Sequence, residues 1–73
     1  MENNNAGQIR LCNHLKETHK LKNDAALSRL LQVAPPVISN LRKGKLSAGP
    51  SFILRVHEFA GMAVKDIRSF LEG

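Results

Sequence analysis

Few residues in this sequence are of types that do chemistry, and their spacing excludes most of it. His14, His19 and His57 lack the cysteines or acidic neighbours that would complete a metal site. His57-Glu58 looks like half of a zinc-protease signature, but no second histidine follows at the required interval. Cys12 is the sole cysteine, so no intrachain disulfide can form, and between Ile9 and Leu15 it reads as a buried small hydrophobe. Nothing here makes a glycine-rich phosphate loop, a paired-carboxylate cleft or a nucleophile beside its base. No enzyme activity is expected, and no metal or other cofactor.

What remains is cationic chemistry. The net charge is +5, and it is unevenly placed. Through Lys45, Lys and Arg outnumber Glu2, Glu17 and Asp24 enough to carry the whole excess. Beyond it, Arg55, Lys65 and Arg68 are balanced by Glu58, Asp66 and Glu72. Arg42, Lys43 and Lys45 stand closest together, the arrangement a phosphate-facing surface needs.

The elements that carry these cations follow from apolar periodicity. A chain of 73 residues allows one domain with a modest core. Phe52, Phe59 and Phe70 are its only aromatics, so the core must be mostly aliphatic. Residues 1–7 are Asn-rich and polar and read as a flexible N-terminal tail, with the domain occupying 8–73. Ile9, Cys12 and Leu15, with Leu11 beside them, predict a first helix over about residues 8–19. A second should start at Asp24, capped by its carboxylate or by Asn23, and end at Leu31. A third should begin at Pro35, since prolines are tolerated in a first turn, and end at a left-handed Gly44. Pro50 opens a fourth, with Phe52, Ile53, Val56, Phe59 and Ala60 as its inward stripe up to Gly61. Val64, Ile67, Phe70 and Leu71 mark the apolar side of a fifth over about 64–71. The expected fold class is all-α, a compact five-helix domain.

Residues 24–45 then read as two short helices at a tight bend: Leu27, Leu30 and Leu31 on one, Val33 in the bend, Val37, Ile38 and Leu41 on the next. This stretch resembles the helix-turn-helix of the Cro/CI-repressor family, also called lambda-repressor-like or XRE. Leu27-Ser28, Gln32-Val33, Ile38-Ser39 and Gly44-Lys45 occupy the family's motif positions, and Pro50 with the two final helices fits its later pattern. The resemblance spans about residues 8–71 and implies a lambda-repressor-like domain whose third helix enters the major groove of double-stranded DNA.

Three departures from the family stand out. Gln32 stands where glycine is usual, which implies a left-handed residue or a slightly different turn. Asp24 replaces a phosphate-binding glutamine and would repel a phosphate unless its carboxylate turns inward. Pro35 and Pro36 replace polar base readers, which leaves apolar contact with a thymine methyl, or shape readout, at those positions.

The DNA-contact set that follows is Arg29, Pro35, Pro36, Ser39, Asn40, Arg42, Lys43 and Lys45. Asn40 is the best base reader, since its amide can pair with adenine N6 and N7. Ser39 is a weaker one, and Arg42, Lys43 and Lys45 are assigned to phosphate, with guanine O6 and N7 as the alternative target of Arg42. Arg29, with Lys20 or Lys22, would meet the flanking backbone. Ser28 is expected to pack between the second and third helices.

The function implied is that of a sequence-specific transcriptional regulator, a repressor of phage or prophage type that blocks its operator. The partner expected is double-stranded DNA, bound by a homodimer that can form mainly on the operator. The loop 46–50 and the flank of the fifth helix near Val64, Arg68 and Leu71 would supply the symmetric contact. The alternative is a protein-interaction adaptor that keeps the fold without reading bases. Residues 1–8 lack an apolar run, so no signal peptide or membrane span is expected and the cytoplasm is the default location.

Overall fold

The computed structural model describes residues 5–72, which form five helices and no strand. These are α1 (Ala6–Thr18), α2 (Asp24–Leu31), α3 (Pro35–Lys43), α4 (Pro50–Arg55) and α5 (Val64–Glu72), with α4 running on into a π-helical turn, Val56–Ala60. Leu11, Cys12 and Leu15 of α1 meet Leu27 and Leu31 of α2, Ile38 and Leu41 of α3, Phe52 and Val56 of the fourth helix, and Ile67 of α5. Phe52 is the one aromatic ring fully in this aliphatic core. No helix among the described residues is long and apolar enough to cross a membrane.

The helix ends follow from local chemistry. Asn23, in extended conformation, caps α2 by accepting from the Ala26 N–H at 2.9 Å. Asp24 therefore opens the helix without capping it. Pro35 and Pro36 fill the first two positions of α3, where no intrahelical N–H bond is required. Three helices then close in the same way, with a left-handed residue followed by a hydrogen bond that reaches back five positions. Leu21 N–H bonds Lys16 O behind Lys20, Val33 N–H bonds Ser28 O behind Gln32, and Lys45 N–H bonds Asn40 O behind Gly44. Gly44 takes its φ of 79° freely, whereas Lys20 (56°) and Gln32 (57°) hold the same geometry with a Cβ. Of the two turns open to Gln32, the structure adopts the left-handed one.

Several elements differ from their sequence expectation. Helix α1 starts two residues before the expected residue 8, so Asn5, Ala6 and Gly7 belong to the fold, while residues 1–4 of the expected tail lie outside the described residues. Gly7 is buried where α1 meets α5, and a Cβ there would run into the carbonyl oxygen of Phe70. This crossing aligns Gly7, Leu11 and Leu15 inward and leaves Ile9 at the edge, half-buried. Arg10 donates to Phe70 O at 3.4 Å, and the His14 ring lies 4.9 Å from that of Phe70.

The fourth helix also departs from the α periodicity assumed for it. Its wider π turn rotates Phe59 off the inward stripe, leaving it 37% exposed. Two imidazoles brace this end: His19 Nε2 donates to Ala60 O at 3.2 Å, and His57 Nδ1 donates to Met62 O at 2.8 Å. A carbonyl only accepts, so these contacts place a proton on those ring nitrogens. Val64, expected on the buried side of α5, is 39% exposed because it begins the helix beyond the edge of the core.

Candidate nucleic-acid interface

Helices α2 and α3 pack together across the bend 32–34, with Ser28 buried at the crossing as a small residue should be. Its hydroxyl is satisfied locally by donating to Ala25 O at 2.7 Å. Ile38 and Leu41 turn α3 inward. At the helical repeat, Pro35, Pro36, Ser39, Asn40 and Lys43 fall on its opposite side. Pro35, Pro36 and Lys43 are exposed there, with Ser39 and Asn40 half-buried. Five of the eight expected contact residues thus share one helix face. Among the described residues, the side chains of Ser39 and Asn40 make no hydrogen bond and Lys43 and Lys45 make no ion pair. Lys45 follows the helix end and Arg29 stands exposed on α2, with exposed Lys20 and Lys22 before it.

Arg42 is placed elsewhere. Its Nε and Nη2 donate to the two carboxylate oxygens of Asp24 at 2.7 and 3.0 Å, and Nη2 also donates to Asn13 Oδ1 at 2.8 Å. Lys16 Nζ lies 3.2 Å from the same carboxylate. One polar cluster therefore ties α1, the start of α2 and the end of α3 together. Arg42 thus spends its Nε and Nη2 donors on oxygens of its own chain, whereas the other expected cations, Lys43 and Lys45, make no ion pair among the described residues. The Arg42 hydrogen bond to Asp24 outweighs partial burial and holds that carboxyl below its ordinary range. Asp24 is thus turned onto cations of its own chain, Arg42 and Lys16.

The ends of α3 are fastened by residues that the sequence reading passed over. Asn5 Nδ2 donates to Arg42 O, and Gln8 Nε2 donates to Leu41 O at 2.7 Å and Leu46 O at 3.0 Å. Gln8 Oε1 accepts from the Ala48 N–H at 2.9 Å. The bonds to Leu41 O and Arg42 O serve carbonyls in the last turn of α3, and those to Leu46 O and Ala48 N–H tie down the loop that follows it. Arg55 serves the bend before α3, donating to Gln32 O at 2.9 Å and reaching Leu31 O at 3.5 Å. The available signal was the need itself: carbonyls in the last turns of α2 and α3 call for donors, and Asn5, Gln8 and Arg55 are polar side chains able to supply them.

Two other features complete the chemistry. Cys12 is buried, and desolvation pushes its thiol up from its ordinary value, which makes a reactive thiolate unfavourable. No group of three or more metal-binding side chains comes together among the described residues. Ala48, Pro50, Ile53, Leu54, Val64 and Arg68 line an open, mainly apolar groove between the fourth and fifth helices. Leu54 is 52% exposed there, and Arg68 sits 3.6 Å from Glu72 in an exposed pair. Loop 46–50 and the start of α5, named above as a symmetric contact, meet at this groove, whereas Leu71 packs against the core. Scans of family models, curated proteins and solved structures returned no match to this chain.

Proposed function

We propose that this chain is a non-enzymatic, cytoplasmic regulator of transcription that binds double-stranded DNA sequence-specifically, a repressor of phage or prophage type resembling the Cro/CI family. The observation that carries the reading is the free face of α3. Its inner side is locked into the core, while the side-chain amide of Asn40 and the ammonium of Lys43 have no partner among the described residues. Asn40 reads a base edge, and Lys43, Lys45, Arg29 and either Lys20 or Lys22 meet phosphates. Occupancy of the operator excludes other proteins from it. One such unit covers few base pairs, so a second copy binds the next turn of the groove, with half-site centres about 34–36 Å apart. The apolar groove between the fourth and fifth helices faces its own copy in this arrangement. The neutral charge balance beyond Lys45 removes like-charge repulsion from that contact.

Selection from random duplex DNA followed by binding across a salt series tests the reading. Log K should fall against log salt by about 0.9 per phosphate neutralised, and the selected motif should be palindromic. A second reading, a protein-interaction adaptor, draws on the donor-free prolines of α3 and the exposed apolar groove. A chain that binds no duplex even at low salt would favour it.

A further inference from the structure

The first turn of α3 is chemically unusual for a surface that meets base edges. Ala34, Pro35 and Pro36 are exposed and carry no polar side-chain atom. Pro35 and Pro36 have no N–H to offer, and the Val37 N–H is already bonded to Ala34 O at 2.9 Å. None of the first three residues of α3 can therefore donate to a ligand. One turn further along the same face stand Asn40, with its free amide, and then Lys43. The face is thus graded from apolar to amide to cation.

We infer that the Pro35–Pro36 surface selects the C5-methyl group of a pyrimidine in the major groove, thymine or 5-methylcytosine. The inference rests on the DNA-binding reading and deepens it. The C5-methyl is the one apolar group that base edges present in that groove. A donor-free surface placed over a purine N7 or O6 would strip water from those acceptors without replacing it, which is unfavourable. Over a methyl group it removes only apolar area from water. The pyrrolidine rings suit the task because they have almost no rotamer freedom to lose on contact. Asn40 supplies the polar half of recognition at a neighbouring pair, and Lys43 holds the backbone. Discrimination at the proline position therefore comes from the methyl and not from the Watson–Crick identity of the base.

The test uses the whole chain and a duplex obtained by selection. Each thymine is replaced singly by deoxyuridine, which deletes only the C5-methyl. One or two positions per half-site should lose about four-fold in affinity, the worth of one buried methyl. At such a position, 5-methylcytosine paired with guanine should bind tighter than cytosine by a similar factor. Pro36→Ser should abolish both effects while leaving the salt slope unchanged. If the duplex binds but uracil is neutral at every position, the methyl inference is overturned and the DNA reading stands. A uracil penalty that survives in folded Pro36→Ser also overturns it, by placing methyl readout elsewhere. Should Pro36→Ser not fold, the uracil and 5-methylcytosine arms decide alone. Absence of binding to any duplex at low salt overturns both readings.

Discussion

Replacing Arg42 separates a cation that holds the fold from one that holds DNA. Its guanidinium bonds both oxygens of Asp24, with side-chain exposures of 22% and 37% for the two partners. An exposed pair contributes about 0.2–1 kcal/mol, and a two-pronged charge-assisted contact about twice that. Solvent screening at this exposure brings the Asp24–Arg42 coupling to about 1 kcal/mol. Arg42→Ala also loses the Asn13 bond and the packing of its stem, so its full cost should be about 2 kcal/mol. A chain of this length has roughly 4–11 kcal/mol in total, so the change is easily seen.

The assay is a double-mutant cycle of Asp24→Asn and Arg42→Ala by urea unfolding, repeated over a pH series. The Asp24 carboxyl is held below its ordinary 3.8 in the folded chain. Its contribution is therefore complete above that value and is lost as pH falls through the lower folded-state value. The coupling should be constant near neutrality and shrink below pH 3.8. On DNA, Arg42→Ala should leave the salt slope unchanged. A stability change under about 0.3 kcal/mol, together with a slope flattened by about 0.9, would refute the placement and return Arg42 to the phosphate set.

Other substitutions test the remaining parts. Lys43→Ala should weaken all duplexes alike and flatten the salt slope by about 0.9, whereas Asn40→Ala should relax preference at one base pair by about 1–3 kcal/mol. Competition binding with mismatched duplexes distinguishes the two. Gln32→Gly should relieve a left-handed strain of about 1–2 kcal/mol and lose about 0.4–1 to the freer unfolded chain, a net gain near 0.5–1 kcal/mol. Thermal unfolding measures it, and a loss of stability would show that the Gln32 side chain has a structural role. Gly7→Ala should destabilise by about 1–3 kcal/mol, since its methyl meets backbone of α5 and not a side chain that can move aside. An unchanged melting temperature would contradict that crossing.

The features legible in the sequence are those set by near neighbours. Asn23, Pro35, Gly44 and Pro50 mark helix ends because capping and φ preference act within a few residues. The apolar spacing of Leu27, Leu31, Ile38 and Leu41 likewise places two helices across a bend. The π turn was not legible, because Phe52, Ile53, Val56, Phe59 and Ala60 fit an α stripe equally well. The extra residue in that turn is held by His19, 41 positions from Ala60. The intrachain partner of Arg42 was hidden for the same reason. Beside Lys43 and Lys45, Arg42 looks like one of three equivalent cations, and only the fold shows that Asp24, 18 positions away, lies within reach.

The anchoring of α3 gives these distinctions their functional meaning. Its start is fixed by the Gln32 bend that Arg55 fastens, its end by Asn5 and Gln8, and its inner flank by Arg42 on Asp24 and Asn13. A helix held at three places cannot easily reorient to improve a poor contact. If α3 meets DNA as proposed, the side chains on its free face should determine recognition with little help from adjustment of the backbone. Pro35 and Pro36 extend that rigidity to the leading turn, where flexible polar side chains could otherwise have adapted to several bases. Such a surface should discriminate sharply against duplexes whose shape or methyl pattern does not fit, and its affinity should come from the cations around it. On this reasoning, substitutions at Asn5, Gln8 or Arg55, which lie outside the proposed contact set, should blur the selected motif more than they weaken nonspecific binding. Equal losses in both would mean that these amides and Arg55 support stability alone.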